Sequence, residues 1–228
     1  MEKNRRYVAS LALFLLAAPL AATGAQEKKG PAAASASAID PEAVAATEKM
    51  EAFVKTLTTY SIHADTTTDE VLLVGPKVQF GGTIDATVRL PNRVRLTIAR
   101  DDKDTQEFFY DGSTLAIWLK DRNVWASAPV PPTVGDMVAQ VRAKYGLAFP
   151  LDDLLRGAAR GELLTGVTAG VVIGTGMVAS VECDQLGFHK EGVDVQIWIE
   201  KGDHPLPRKF VVTTLSESSQ PQHSEVLT

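Results

Sequence analysis

The chain has few of the residues that fix a fold or mark a charged partner. Cys183 is its single cysteine, so no internal disulfide can form and the packed core alone must hold the fold. The formal net charge is −5, and no run of Lys or Arg interrupts this acidic balance. Because nucleic acids and anionic membranes attract strongly basic surfaces, the composition predicts neither as a partner.

The sequence also has no recognisable catalytic or metal-binding motif. Gly174, Thr175 and Gly176 are not followed by the Lys of a phosphate-binding loop, so this stretch predicts a hairpin turn. The four histidines are far apart and lack a second ligand at metal-site spacing: His63, His189, His204 and His223. We therefore predict a protein that is not an enzyme and binds no cofactor or metal. An enzyme would need separated acidic or histidine side chains to converge in a cleft.

The N-terminal residues have the order of a signal peptide. Lys3, Arg5 and Arg6 precede an apolar run at 8–20, and small residues follow it up to Ala25. A helix needs about 20 apolar residues to span a bilayer, so this run is too short to be a stable anchor. We predict a signal peptide over 1–25, cleaved near Ala25, and a soluble periplasmic protein.

Two parts follow the predicted signal peptide. The segment 26–39 is rich in Ala and Ser and cannot bury a core, so it predicts a flexible linker. The segment 40–228 is long enough for a single β-rich domain with its own core. Its last residues, from His223, look like the beginning of another strand, which suggests a domain truncated at its C-terminus.

Helix signals occur at two places in this domain. Asp40 can cap a helix that has Pro41 at its first position, and we predict a helix over 40–58. Its apolar stripe consists of Val44, Met50, Phe53, Val54 and Leu57. Thr133 and Gly146 have the spacing of the two ends of a second helix, and 151–156 favours a further helical turn.

Strand signals dominate the rest of the domain from Tyr60 onward. Apolar residues recur at every second position in 78–90 and again from Val94, and Gly112 favours a tight hairpin after Asp111. Later strand signals lie at 167–173, 177–186, 193–200 and 208–215. About ten strands with two or three covering helices predict an α+β fold built on a curved antiparallel sheet.

One face of this sheet is predicted to be apolar. It is formed by Val88, Leu96, Phe108, Tyr110, Leu115, Ile117, Trp125 and Ile197. Such residues either pack as a core or line a groove for an apolar ligand, and the sequence leaves both interpretations open. Trp198 alternates with Ile197 and therefore lies on the opposite face, where it either forms a second contact surface or packs under a loop.

Several segments resemble a known family. These are DTTTDEV at 65–71, FYDG at 109–112, QIWIE at 196–200 and PLPRK at 205–209. They are similar to an uncharacterised family of predicted periplasmic proteins, and the resemblance covers nearly all of 40–228. That family is in turn similar to the LolA/LolB lipoprotein-carrier superfamily, in which a strand with a Trp-Ile-acidic motif precedes a Leu-Pro turn.

The resemblance implies a LolA-like unclosed half-barrel whose helices cover a concave apolar face able to hold acyl chains. Members of the wider superfamily carry lipoproteins, bind other lipids or sense envelope stress. Our leading hypothesis is a periplasmic binding or carrier protein for a lipid, an acyl chain or a lipoprotein. The alternative is an interaction or stress-sensing module that binds another envelope protein, and an enzyme is the third hypothesis.

Overall fold

The computed structural model describes residues 38–73, 75–147 and 163–228, apart from the side chain of Asp104. All of these residues belong to one compact unit, Ser37–Thr228. The predicted signal peptide, the linker up to residue 37 and the predicted helical turn at 151–156 lie outside the described residues.

The described chain folds into two α-helices and eleven strands. The helices are α1, Pro41–Val54, and α2, Val134–Tyr145. The strands before α2 are β1 Thr59–Val71, β2 Lys77–Arg89, β3 Arg93–Arg100, β4 Lys103–Tyr110, β5 Thr114–Leu119 and, after a 3₁₀ turn at Lys120–Arg122, β6 Val124–Pro129. The strands after α2 are β7 Val167–Val178, β8 Val181–Lys190, β9 Val193–Glu200, β10 Pro207–Thr214 and β11 Gln222–Leu227.

These strands form one antiparallel sheet in the order β6-β5-β4-β3-β2-β1-β11-β10-β9-β8-β7. β1 lies in the middle, where it pairs with β2 on one side and with β11 on the other. Within the described chain the edge strands β6 and β7 do not pair with each other, so the sheet is open. The predicted α+β fold with an unclosed antiparallel sheet is confirmed, with eleven strands rather than about ten.

Side-chain alternation gives the sheet an inner and an outer face. The inner face carries Val88, Leu96 and Ile197, and both helices pack on it. The outer face carries Arg95 and Trp198. Of the helices in the described ranges, neither has the length and hydrophobicity of a membrane span.

The buried apolar side chains of the inner face form two cores. The first core lies mainly on β1 to β5 beneath α2, which contributes Met137 and Val141. The second core lies mainly on β8 and β9 beneath α1, which contributes Met50. Val54 and Phe210 pack against both cores, so they mark the seam between them.

α1 begins where the sequence predicts but ends earlier. The Asp40 carboxylate accepts a hydrogen bond of 2.9 Å from the Glu42 amide, which caps the helix at Pro41. The last helical residue is Val54 rather than residue 58, because the chain turns there to enter β1 at Thr59. The buried face also differs from the predicted stripe and consists of Ala43, Thr47, Met50 and Glu51. Ala43 and Thr47 have small side chains, so the first half of the helix can lie close to the sheet.

α2 matches its prediction at both ends. The Thr133 hydroxyl accepts a hydrogen bond of 3.2 Å from the Asp136 amide, and Gly146 ends the helix with φ +66°. Glycine suits this position because a side chain disfavours the left-handed conformation. The buried face consists of Val134, Met137, Val138 and Val141, which pack on the first core.

The hairpin turn predicted at Gly174 to Gly176 is wrong. Both glycines lie inside β7, which continues to Val178, and the turn follows at Ala179 and Ser180 with φ values of +45° and +68°. The register of β7 against β8 shifts between Val172 and Gly174, where Gly174 has φ +150°. A glycine at an irregularity of this kind accommodates an extra residue within a strand rather than ending it.

Candidate functional site

The residues predicted to form the apolar face lie on the inner face, with one exception. The pairs Leu96 with Phe108 and Phe108 with Ile117 show that successive strands share this side of the sheet. Val88, Leu96, Phe108, Tyr110, Leu115 and Ile197 are buried, and Ile117 is partly buried against the first core. Among the described residues they therefore pack with the helices, and a role in ligand binding stays a prediction.

Trp125 is the exception, and its predicted position on the apolar face is wrong. It pairs with Trp118, which pairs with Glu107, and all three belong to the outer face. Trp125 is 71% exposed there. The reason lies at Asn123, whose left-handed conformation at φ +50° sets the phase of β6. A shift of one residue moves every side chain of a strand to the other face.

Trp198 lies on the outer face, as its alternation predicts. It is partly buried, and the Lys209 ammonium group lies 4.7 Å from the centre of its ring. Lys209 is the cross-strand neighbour of Trp198, so the two side chains form a cation–π contact. Whether this surface contacts a partner stays a prediction.

A group of polar side chains interrupts the apolar inner face where β1 pairs with β11. The Thr68 hydroxyl lies 2.8 Å from His223 Nδ1, and His223 Nε2 lies 3.0 Å from the Glu225 carboxylate. Thr66 pairs directly with Glu225 across the strands, and both are less than 9% exposed. We call Thr66, Thr68, His223 and Glu225 the polar cluster. Its geometry fits an imidazole that accepts from Thr68 and donates to Glu225.

A second polar group lies beside this cluster on β3. The Arg100 guanidinium donates to Glu70 at 2.7 Å and to Asp102 at 2.9 Å. The hydrogen bond from Arg100 holds the pKa of Glu70 below its usual range. Arg100 pairs with Gly82, where an added Cβ would lie 3.0 Å from Thr66 Oγ1 and 3.1 Å from Arg100 Cγ. The missing side chain therefore lets these two polar side chains meet.

The inner face of β1 changes from apolar to polar along the strand. Tyr60, Ile62 and Ala64 come first, and Thr66 and Thr68 follow on the same side. Burial raises the pKa of Tyr60 to about 12, which places its phenol in an apolar environment. This arrangement can hold an apolar chain at one end and hydrogen-bond a polar group at the other.

The polar cluster could not be predicted from the sequence. Thr68 and His223 are 155 residues apart, and neither belongs to a recognisable catalytic or metal-binding motif. The sequence feature that points to the cluster is alternation, because it places His223 and Glu225 on the same face of a strand. His63 and His189 lie outside the cluster and contact Asp85 and Asp194 across neighbouring strands, at 2.7 Å and 2.6 Å.

The other potentially reactive groups are accounted for by packing. Cys183 is buried like a small apolar side chain, and burial raises the pKa of its thiol. Within the described ranges, no group of three or more His, Cys, Asp and Glu side chains is arranged to hold a metal ion.

Two of the solved structures that share this fold are mycobacterial proteins. The Mycobacterium tuberculosis lipoprotein LppX is 15% identical, with 83% of this chain and 94% of that chain covered and a TM-score of 0.51. LprF from Mycobacterium bovis is 11% identical, with 83% and 93% covered and a TM-score of 0.50. At these identities the likeness establishes the fold alone, and it confirms the predicted LolA-like architecture.

The sequence comparisons identify the family. No curated protein matches the chain by sequence. A family model for predicted periplasmic proteins matches residues 43–228, which includes α2, every described strand and α1 from Ala43 onward. The segments around 65–71, 109–112 and 196–209 lie within that match, so the predicted relationship is confirmed. The chain therefore belongs to the family of predicted periplasmic proteins DUF2092.

Proposed function

We propose that this protein binds an amphiphile in the periplasm, a lipid or the acyl chain of a lipoprotein, and that it catalyses no reaction. The apolar part of the ligand would lie along the inner face of the sheet, and its polar end would reach the polar cluster. The observation that carries the proposal is the change along β1 from Ile62 and Ala64 to Thr66 and Thr68. At about 3.3 Å per residue, Ile62 to Thr68 spans about 20 Å.

The width of the sheet supports this proposal. The eleven described strands, spaced about 4.8 Å apart, extend over about 48 Å, whereas the two described helices, each about 10 Å in diameter, cover about 20 Å. Apolar side chains beside the helices are accordingly only partly buried. They include Ile62, Leu90, Val94, Ile98, Ile117 and Phe210. This surface gains free energy when an acyl chain covers it.

The expected energetics fit reversible binding. Each methylene group removed from water contributes about 0.8 kcal/mol, so ten methylenes contribute about 8 kcal/mol before the entropic cost of binding. The polar cluster combines hydroxyl, imidazole and carboxylate groups, which can both donate and accept hydrogen bonds. A head that carries hydroxyl groups, such as glycerol, therefore fits this end better than a purely anionic head.

We assign the polar cluster to binding even though its order of groups is that of a catalytic relay. Thr68, His223 and Glu225 present a hydroxyl, an imidazole and a carboxylate in sequence. Hydrolysis also needs N–H groups aimed at the developing oxyanion. Thr68 and His223 are paired in the centre of the sheet, where backbone amides are engaged in the β1–β11 ladder. A binding role requires no free amide.

Native mass spectrometry tests the proposal. The full chain would be purified from the periplasm without detergent, and bound molecules would be extracted for lipid analysis. We expect a stoichiometric lipid in the native protein and its loss in Ile62→Asn, which places an amide beside the first core. The matched control is Ser61→Asn, because Ser61 is the neighbouring residue on the outer face.

One result would support the proposal, and two would contradict it. Lipid retained by Ser61→Asn and lost from Ile62→Asn supports binding on the inner face, provided that both variants keep the circular dichroism of the native protein. A clean apo mass, with no uptake of added fatty acid or phospholipid, contradicts the proposal. Turnover of ester substrates that Thr68→Val abolishes would contradict the assignment of the polar cluster to binding alone.

Interaction with another envelope protein is a second candidate function. The edge strand β7 carries Val171, Ile173 and Met177 with more than half of each side chain exposed. Gly170 of this strand is bridged to Ile39, and beyond it this edge of β7 has no further strand partner among the described residues. That part of the edge can accept a partner's strand through main-chain hydrogen bonds. Ile173→Asp would prevent such pairing, whereas Val124→Asp on the opposite edge would leave it intact.

A further inference from the structure

The outer face of the β2–β3 hairpin carries a concentration of positive charge. Arg89 and Arg93 are direct cross-strand neighbours, and Arg95 follows on the same side of β3, opposite Thr87. Like charges placed directly opposite each other on a sheet destabilise the pair. The chain as a whole is acidic, with a formal charge of −5, so this cluster is a local feature that the overall composition hides.

These arginines surround an open depression on the surface. Its volume is about 510 Å³, and its lining includes Arg89, Arg93, Arg95, Phe109, Asp111 and Thr114. The Arg95 guanidinium lies 5.5 Å from the centre of the Phe109 ring, so the aromatic ring holds this charge in a fixed orientation. The depression thus combines cationic groups with an apolar wall.

The carboxylates nearby balance the arginines only in part. Arg95 lies 3.5 Å from Glu107, which also lies 3.9 Å from Lys120. Asp111 attracts Arg93, but its carboxylate is also held in its own turn by hydrogen bonds from the Thr114 amide and from the amide and hydroxyl of Ser113.

Arg89 and Arg93 have N–H donors available for a ligand. Arg93 donates to the Asn92 carbonyl at 3.5 Å, which is at the weak end of the hydrogen-bond range. Arg89 makes no ion pair with the described residues. An anion bound between Arg89 and Arg93 would relieve their repulsion and would accept paired hydrogen bonds from planar guanidinium groups.

We propose that this depression, the arginine groove, binds the phosphate group of an organic phosphate ester. The ester's apolar or aromatic part would lie against Phe109. The site is on the outer face and therefore goes beyond the amphiphile site proposed on the inner face. The phosphate can belong to a soluble ester or to a lipid headgroup, since both present the same oxygens to the arginines.

The test titrates the full chain with two probes by isothermal calorimetry and vesicle sedimentation. The soluble probe is phenyl phosphate, and the lipid probe is a phosphatidylglycerol vesicle compared with a phosphatidylcholine vesicle. Arg93→Gln is expected to weaken binding of at least one probe about tenfold, because hydrogen bonds between charged groups are the strong ones. Arg93→Lys keeps the charge but loses the planar fork, so it should restore only part of the affinity.

The matched control is Lys190→Gln, which makes the same change in charge at the end of β8, in the other half of the sheet. Weakening by Arg93→Gln of phenyl phosphate alone assigns the groove to soluble esters, and weakening of vesicle binding alone assigns it to lipid headgroups. Equal effects of Arg93→Gln and Lys190→Gln overturn the proposal, because they indicate diffuse attraction. The absence of saturable binding of either probe overturns it as well. Loss of bound lipid in Ile62→Asn has no bearing on these results.

Discussion

α1 and α2 cover the same face of the sheet but are held against it by different interactions. α1 is attached through polar groups at both ends of its buried face. The Asp40 amide donates to the Gly170 carbonyl at 2.8 Å, and the Lys49 ammonium group donates to the Gly202 carbonyl at 2.8 Å. Glu51, which burial gives a raised pKa, accepts a hydrogen bond of 3.2 Å from the Leu163 amide.

α2 depends mainly on apolar packing. The Val134 amide donates to the Pro91 carbonyl at 2.9 Å, which attaches the first residue of the helix. Further along, contact with the first core is made by Met137, Val138 and Val141. Hydrogen bonds fix direction and position, whereas apolar contacts allow a helix to slide and repack. We therefore expect the second core to be the more rigid of the two and the first core to repack more readily.

Removing a methionine beneath each helix should produce the largest effect. Met50→Ala is expected to lower the free energy of unfolding by about 3 kcal/mol, because a helix held by hydrogen bonds cannot collapse into the cavity. Met137→Ala should cost about 2 kcal/mol, since α2 can shift to fill part of the space. Urea unfolding measures both, with Met177→Ala as the control because that side chain is 66% exposed. Equal losses of stability in Met50→Ala and Met137→Ala would contradict the expected difference between α1 and α2.

Replacing one glycine by alanine in each half of the sheet should give a smaller difference in stability. In the first half, a Cβ on Gly82 would lie 2.5 Å from the Ala99 carbonyl oxygen, so Gly82→Ala should cost about 2 kcal/mol through backbone displacement. In the second half, a Cβ on Gly176 would meet Trp198 Nε1 at 3.8 Å, which is an ordinary contact. Thermal unfolding of Gly82→Ala and Gly176→Ala measures the difference in stability between the two variants. A neutral Gly82→Ala would show that β2 and β3 separate at this point.

The smallest effect concerns the pH dependence of the first half. The hydrogen bond that His63 donates to the Asp85 carboxylate raises the pKa of His63 above its ordinary value, and Asp65 adds to this shift. Because the folded-state pKa is raised, the stabilisation is complete below about pH 6.5 and is lost as the pH rises through the folded-state pKa. We expect a contribution below about 1 kcal/mol, since the pair is exposed. An NMR titration should show a lower His63 pKa in Asp85→Asn and no change in Asp194→Asn.

The strands could be predicted because their signals are local. Alternation identified the inner-face positions of β2 and β3, and Asp111 with Gly112 identified the hairpin between β4 and β5. The helix caps at Asp40 and Thr133 were equally visible, because a cap is formed by residues close in sequence. Most strands and the starts of both helices could therefore be predicted from the sequence.

The errors arose where the local conformation changed the phase of a strand. Trp125 was assigned to the wrong face because the left-handed Asn123 sets the register of β6. Gly174 was interpreted as a turn because glycine serves both turns and irregular strands. Choosing between those roles depends on the neighbouring strand, which the sequence pattern does not contain.

The sequence by itself determined the period of each element and the residues that end it, because backbone geometry acts over a few neighbouring residues. Only the tertiary structure decided that β11 pairs with β1, since strand pairing depends on packing between distant parts of the chain. That pairing brings His223 to Thr68 and places Glu225 beside Thr66. The polar end of the proposed binding face is therefore a product of the fold.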